Sequence, residues 1–302
     1  GGKPEEVLAE VSGNILKNVK SVVVPNTDGR RGIDAAIAVG IVAGDADAEL
    51  QVIANVTEDD VAAIQGYLDA TPIKVACPET PCLLDIFLHG KRDGHTASVR
   101  VANNHTNIIY MEKDGAVLLQ KPLTANAEDN LQDKSVLNVK DIITFAETVP
   151  LETIEPIIGR QIRCNTAIAE EGLRNSWGAN IGSTLLLAGD DPETQARAWA
   201  AAGSDARMNG CEMPVVICSG SGNQGITCTV PVLILAEYLG TPEDKLLEAL
   251  CISELVGLLI TARKDRLSAL CGAFTAAMGA GCGMVHLMGG GIQEMNLVIR
   301  TM

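Results

Sequence analysis

Cys271 and Cys282 stand eleven residues apart in the stretch Arg266 to Gly291, among Gly272, Gly279, Gly281 and Gly283. Two thiols in one segment could share a metal centre. Leu267, Leu270, Phe274, Met278, Val285 and Met288 recur at helical spacing, the pattern of a buried helix. On an unbroken helix the two thiols lie about 16 Å apart along the axis, too far to share a centre. Each interior glycine costs roughly 1 kcal/mol against alanine, so four of them favour a break. If the thiols converge, the chain must leave helical geometry between Gly272 and Gly283, at Gly279–Gly281, and resume near Met284. The alternative is that these small residues are buried in close helix packing.

A second cluster, Ser219-Gly220-Ser221-Gly222-Asn223-Gln224-Gly225-Ile226-Thr227-Cys228, precedes a helical pattern at Val230 to Tyr238. Backbone N–H groups of such a loop, next to a helix N-terminus, suit a carboxylate or phosphate. The other reading is a flexible turn between helices. Ser-Gly-Asn loops also occur in pyridoxal-phosphate enzymes, which need a Schiff-base lysine. No lysine lies between Lys140 and Lys245, which weighs against that cofactor.

The remaining thiols are less pointed. Cys77 and Cys82 form a C-x4-C pair with no second pair following, a weak zinc signal. Cys164, Cys211, Cys218 and Cys251 read as plain thiols, Cys218 being the one that abuts the Ser219–Gly225 loop. His105 sits in the polar turn Asn103-Asn104-His105-Thr106-Asn107, where a binding residue or an ordinary hairpin would both fit. His286 lies on an apolar pattern and reads as a core histidine, while His89 and His95 flank a turn.

The elements that must position these groups fall into two halves. Glu6 to Val11 and Ile15 to Val24 read as strands around the turn Ser12-Gly13-Asn14. Gly32 to Val42 reads as a helix, and Thr57 caps another that runs to about Leu68. Leu83–Leu88, Thr96–Ala102, Asn107–Glu112 and Ala116–Leu119 read as an antiparallel meander with Asp114-Gly115 as a hairpin turn. Residues 1–125 are therefore expected to form an α+β domain. Residues 126–302 read as almost all helix: Asp141–Glu147, Glu152–Arg174, Pro192–Asn209, Val230–Tyr238, Pro242–Ala262 and the Arg266–Gly291 stretch. Asp191 and Thr241 precede Pro192 and Pro242 as N-cap before a first-turn proline. The expected fold class is α+β with an all-helical C-terminal domain.

Composition bounds the partners. The 302 residues carry a formal net charge of −15, which repels nucleic acid and anionic membrane surfaces. The longest apolar window, Leu246 to Ala262, holds Glu248 and Glu254 and is too short to span a bilayer. Nine cysteines, with no signal peptide in view, read as reduced thiols of a cytoplasmic protein. Aromatic residues are only 3% against 47% hydrophobic, so the core must be built from small and aliphatic side chains.

Six segments together carry a resemblance: Val11–Asn18, Val24–Thr27, His105–Ile108, Ala202–Met208, Ser219–Ile226 and Leu267–Gly272. Along essentially its whole length the chain resembles the L-cysteine desulfidase and serine-dehydratase-like family, oxygen-sensitive iron–sulfur relatives of bacterial L-serine dehydratase. The resemblance implies an α,β-elimination lyase with a 4Fe–4S cluster held by three cysteines and one iron left open. It implies Cys228, Cys271 and Cys282 as the metal ligands. It implies that Asn14, Asn26, Thr27, His105, Asn107, Ser221, Gly222 and Asn223 bind an amino-acid substrate, L-cysteine or L-serine. It also implies further segments before Gly1 and after Met302, among them a Gly-Cys-Thr-Glu-Pro segment whose cysteine would act as base. No nucleic acid or membrane partner is expected, and a homodimer is left open. The competing class is a non-catalytic amino-acid-binding or regulatory protein of the same fold without a cluster.

Overall fold

Val7, Ala9 and Val11 are buried while Glu6 and Leu8 face outward, so alternation makes Glu6–Val11 a half-buried strand, β1. The structure, a computed structural model, describes residues 2–124, 134–263 and 272–302. The chain divides into two units, 1–131 and 132–302.

The first unit holds one six-stranded sheet in the order β2-β1-β3-β4-β5-β6. Its other strands are β2 (Ile73–Ala76), β3 (Asp85–Arg92), β4 (His95–Ala102), β5 (Ile108–Lys113) and β6 (Ala116–Gln120). β3 to β6 form the expected antiparallel meander, and β3 also pairs antiparallel with β1. Asp114 and Gly115, at φ 52° and 80°, supply the left-handed pair that a two-residue hairpin turn needs. β1 and β2 are parallel, with Val7 opposite Ile73. A parallel pair needs a long crossover, and here it carries α1 (Gly13–Val19), α2 (Gly32–Ala43) and α3 (Glu58–Ala70).

Ile15 to Val24, expected as a strand, begins instead as the helix α1. Ser12 is its N-cap: Oγ accepts from the Ile15 N–H at 3.4 Å and donates to the Leu83 carbonyl at 2.6 Å. Ile15, Leu16 and Val19 share one helical face and reach the core formed by Val7, Ala9, Val11, Ile33 and Ile37. Thr57 and Asp60 close a capping box at the start of α3.

Asp85 is almost fully buried and takes a bidentate pair from Arg100, Nε to Oδ1 at 2.8 Å and Nη2 to Oδ2 at 2.6 Å. Burial raises the Asp85 pKa, but the Arg100 and Thr80 bonds outweigh it and hold the carboxyl below the usual range. Stability from this pair is therefore present above the unfolded carboxylate pKa and lost as pH falls through the lower folded value. Arg100→Met strands a buried carboxylate and is expected to lower the stability of this unit by about 2 kcal/mol. Urea unfolding at neutral pH checks it; an unchanged midpoint would contradict the assignment.

The second unit is helical. Among its described residues there is no strand, only α4 (Val139–Thr148), α5 (Leu151–Arg174), α6 (Ile181–Leu186), α7 (Pro192–Met208), α8 (Gly222–Leu239), α9 (Glu243–Arg263), α10 (Gly272–Leu287) and α11 (Ile292–Thr301), with short turns between. Asp191 caps α7, accepting from the Thr194 N–H at 2.9 Å, with Pro192 in the first turn. Leu250, Ile252, Val256 and Met295 are at the centre of the main core. Among the described residues no helix is long and apolar enough to cross a membrane.

Two helical expectations are corrected. α8 begins at Gly222 rather than Val230, because Ser221 caps it by accepting from the Gln224 N–H at 3.4 Å. Seven of the ten residues Ser219–Cys228 thus lie in α8. The break expected at Gly279–Gly281 is also absent, and α10 is continuous from Gly272 to Leu287. Its glycines serve close approach instead. A Cβ on Gly279 would lie 2.3 Å from the Ser253 carbonyl oxygen, and one on Gly283 would lie 2.7 Å from that of Ala249. The propensity cost of each glycine is offset by backbone-to-backbone packing of α10 on α9.

Candidate metal centre and anion-binding turn

The sequence Cys218-Ser219-Gly220-Ser221 makes a tight turn at the foot of α8. Ser219 and Gly220 take φ values of 49° and 81°, and Cys218 and Ser221 exchange both backbone hydrogen bonds, at 3.1 and 2.9 Å. The turn folds Cys218 back toward Cys228, which lies inside α8 near its start. α9 adds Glu254. The Sγ atoms of Cys218 and Cys228 and a carboxylate oxygen of Glu254 all lie within 4.8 Å of one another. Among the described residues this is the one group of three or more such donors so close together.

The surroundings are tightly organised. Cys218 is 4% exposed and Cys228 fully buried, both packed on Ala276 of α10. The Cys228 thiol points to the Ala276 carbonyl at 3.7 Å, and Ser253 Oγ donates to the Cys228 carbonyl at 2.8 Å. Gln161 of α5 donates to the Glu254 carboxylate. Gly257 permits this close packing: a Cβ there would lie 3.1 Å from the Cys228 sulfur and 3.7 Å from that of Cys218.

Electrostatics set this group apart from an ordinary core. A hydrogen bond from Cys228 pulls the Cys218 thiol down to about 6 despite its burial. The same bond, together with burial, pushes Cys228 well above the usual thiol range. Burial, followed by the neighbouring Cys218, pushes Glu254 up to about 10. Three acids in one buried spot cannot all ionise without a compensating cation, and Glu254 has no lysine, arginine or histidine ion pair among the described residues. Thiolates with a carboxylate are a donor set for a borderline-soft transition metal such as iron or zinc.

On the outer side of the same helix end stands Arg207. Its Nη1 donates to Asn223 Oδ1 at 3.2 Å and to Met208 Sδ at 3.4 Å, and a Cβ on Gly222 would lie 2.3 Å from its Nε. It forms no ion pair among the described residues, and burial pulls its pKa below the usual arginine value. The first N–H groups of α8 have no intrahelical acceptor; Gln224 gives its own to Ser221 Oγ, which leaves those of Gly222 and Asn223. A cation set against the positive end of an 18-residue helix is unfavourable unless an anion joins them.

The residues expected at the site are distributed unevenly. Ser221, Gly222, Asn223 and Cys228 share the start of α8. Cys271 lies outside the described residues. Cys282 is fully buried in the core with α11, its thiol pointing to the Met295 carbonyl at 3.8 Å, and does not belong to the donor group. In the sheet unit, Asn14 accepts from Asn18 at 3.3 Å on α1, and Asn26 donates to the Ile53 carbonyl at 2.9 Å. Thr27 is fully buried and donates to the Val24 carbonyl at 2.6 Å. Asn107 donates to the Ala102 carbonyl at 2.9 Å, shaping the β4–β5 turn in which His105 is exposed. No hydrogen bond among the described residues links these three places.

Arg207, Gln161 and Glu254 escape a reading based on spacing. Glu254 has a signal of its own, a carboxylate inside the apolar window Leu246–Ala262. His286 is satisfied as a core histidine should be, by Glu248 at 3.1 Å. With Lys245 it lines a cavity of about 570 Å³ at the opposite end of α8, beside Leu239–Pro242. That lining is free of thiols and is separate from the donor group.

Comparison with known proteins places the chain. The chain belongs to the serine dehydratase alpha chain family, whose model matches residues 47–302. It is similar to a UPF0597 protein of Lachnoclostridium phytofermentans, 44% identical over 300 residues, spanning 99% of this chain and 72% of that protein. A UPF0597 protein of Treponema denticola is 40% identical over 302 residues, spanning 98% of this chain and 70% of its own length. One of Oleidesulfovibrio alaskensis is 38% identical over 308 residues, covering 100% and 72%. No solved structure matches this chain. Family membership points to dehydratase-like lyase chemistry, and the relatives' names specify neither substrate nor cluster.

Proposed function

We propose that the chain is the cluster-holding, substrate-binding part of an iron–sulfur lyase that converts L-cysteine to pyruvate, ammonia and sulfide, or L-serine to pyruvate and ammonia. The observation that carries the reading is the buried Cys218–Cys228–Glu254 group, whose helix α8 has Arg207 of α7 bonded to Asn223 in its first turn. Two buried thiols converging on one point fit the sulfur donors of a 4Fe–4S cluster in chemistry, and Cys228 would be its anchoring ligand. Cys271 is proposed as a second ligand on the resemblance alone. When bound, the cluster supplies an open iron as Lewis acid.

The chain's own residues then bind and orient. Arg207 and the Gly222 and Asn223 N–H groups receive the substrate carboxylate, with Asn223 Oδ1 steering the guanidinium. In the elimination a base takes the α-proton, the Cα–H electron pair becomes the C=C bond, and the Cβ–S or Cβ–O bond breaks with its electron pair leaving on hydrosulfide or hydroxide. The aminoacrylate tautomerises and hydrolyses to pyruvate and ammonia. From the sheet unit, Asn14, Asn26, Thr27, His105 and Asn107 are proposed on the resemblance to line the substrate, His105 being the exposed side chain among them. Reduced thiols and an oxygen-sensitive centre fit a cytoplasmic protein, and a homodimer is compatible with the reading.

Anaerobic reconstitution with ferrous iron and sulfide tests it. A visible absorbance that dithionite bleaches, with pyruvate released from L-cysteine or L-serine, is the expected result. A protein that binds the amino acid yet takes up no iron and releases no pyruvate is instead an amino-acid-binding protein of this fold.

A further inference from the structure

We infer that Cys218 is a thiolate ligand of the metal centre and that Cys282 is not. The inference rests on the proposed metal-dependent reading of the same site and reassigns one of its ligands.

Two independent geometries support it. The first is convergence. Cys218 comes from the turn before α8, Cys228 from within α8 and Glu254 from α9, and their donor atoms lie within 4.8 Å. The turn is held by paired backbone hydrogen bonds between Cys218 and Ser221, so the thiol is fixed in place rather than swung there by chance. A Cβ on Gly257 would lie 3.1 Å from the Cys228 sulfur and 3.7 Å from that of Cys218, so its absence lets both thiols pack close against α9.

The second is separation. Ala276 is the α10 residue packed against Cys218 and Cys228. Cys282 follows it by six residues on an unbroken helix, about 9 Å further along the axis and about 240° around it. Its thiol is turned to the Met295 carbonyl in the core with α11. Gly279 and Gly283 pin α10 against the α9 backbone on either side of it, so it cannot swing toward Cys228 without unpacking both helices.

The test uses three proteins: wild type, Cys218→Ser and Cys282→Ser, each shown folded by its unfolding midpoint. After anaerobic reconstitution, iron and acid-labile sulfide are counted per chain. Cys282→Ser is expected to keep wild-type iron and sulfide, and Cys218→Ser to fall to about a tenth or less. Cobalt(II) added to the apo-proteins gives a readout independent of any cluster. A thiolate-to-cobalt band is expected in wild type and Cys282→Ser and is expected to be lost in Cys218→Ser. If the wild type takes up no sulfide but shows the cobalt band, the cluster reading falls and the Cys218 assignment stands. If Cys282→Ser loses metal while Cys218→Ser keeps it, or if the wild type binds neither cluster nor cobalt through thiolate, the assignment is overturned.

Discussion

Gly279→Ala is expected to destabilise the helical unit by about 3 kcal/mol, against the gain of roughly 1 kcal/mol that alanine brings to an ordinary helix interior. The new Cβ would sit 2.3 Å from the Ser253 carbonyl oxygen and 2.9 Å from the Gly257 nitrogen. Both are backbone atoms of α9, so no rotamer change relieves the overlap, and the two helices must part. The consequence reaches the Cys218–Cys228–Glu254 group. Ser253 holds the Cys228 carbonyl, and Ala276 of α10 packs on both sulfurs, so parting the helices loosens the whole donor group. Gly281→Ala is the control. Its Cβ would meet Val298 Cγ1 at 2.7 Å, the end of a side chain that can move, and the expected loss is about 1 kcal/mol or less. Urea midpoints and the rate of thiol modification in the apo-protein measure both. A Gly279→Ala protein as stable as wild type would show that the α9–α10 contact has slack.

That contact also shows how far the sequence could be read. The glycines of the 266–291 stretch are equally what a broken helix and a tightly packed helix need, because both depend on a missing Cβ. Only the facing residues, Ser253, Gly257 and Ala249, decide between them, and they lie some thirty residues away in the chain. Strand periodicity, the Asp114-Gly115 hairpin and the Asp191 and Thr57 caps are local signals, and the meander and most helices were legible from them. Ile15–Val24 was misread because its β-branched residues favour a strand until Ser12 is recognised as a cap bonded to distant Leu83. At the site, the Ser-Gly-Asn segment was legible as lying before a helix, with that helix placed eight residues late. Cys218 and Glu254 were not legible as partners of Cys228: their convergence is made by three separate elements, and no spacing within one segment encodes it.

Arg207 offers the sharpest test of the substrate reading. Replacing it with methionine is expected to lower kcat/KM for the amino-acid substrate about 100-fold, or about 3 kcal/mol, mainly through KM. The reason is its placement. The guanidinium lies against Gly222 and Asn223, at the start of α8, whose first N–H groups have no partner among the described residues, and no carboxylate among them neutralises it. On the proposed reading the substrate carboxylate completes the arrangement, and removing Arg207 takes away one charge-assisted bond and much of the local field. Arg207→Lys keeps the charge but not the planar fork, so it is expected to recover about a tenfold part of the loss. Iron and sulfide content should be unchanged in both variants, because Arg207 touches none of the three metal donors through a hydrogen bond. Asn223→Ala, which frees the guanidinium to rotate, should raise KM with a smaller effect than Arg207→Met. A wild-type KM in Arg207→Met would remove the carboxylate from this helix end. A loss of cluster in that variant would instead make Arg207 a structural support of the metal centre.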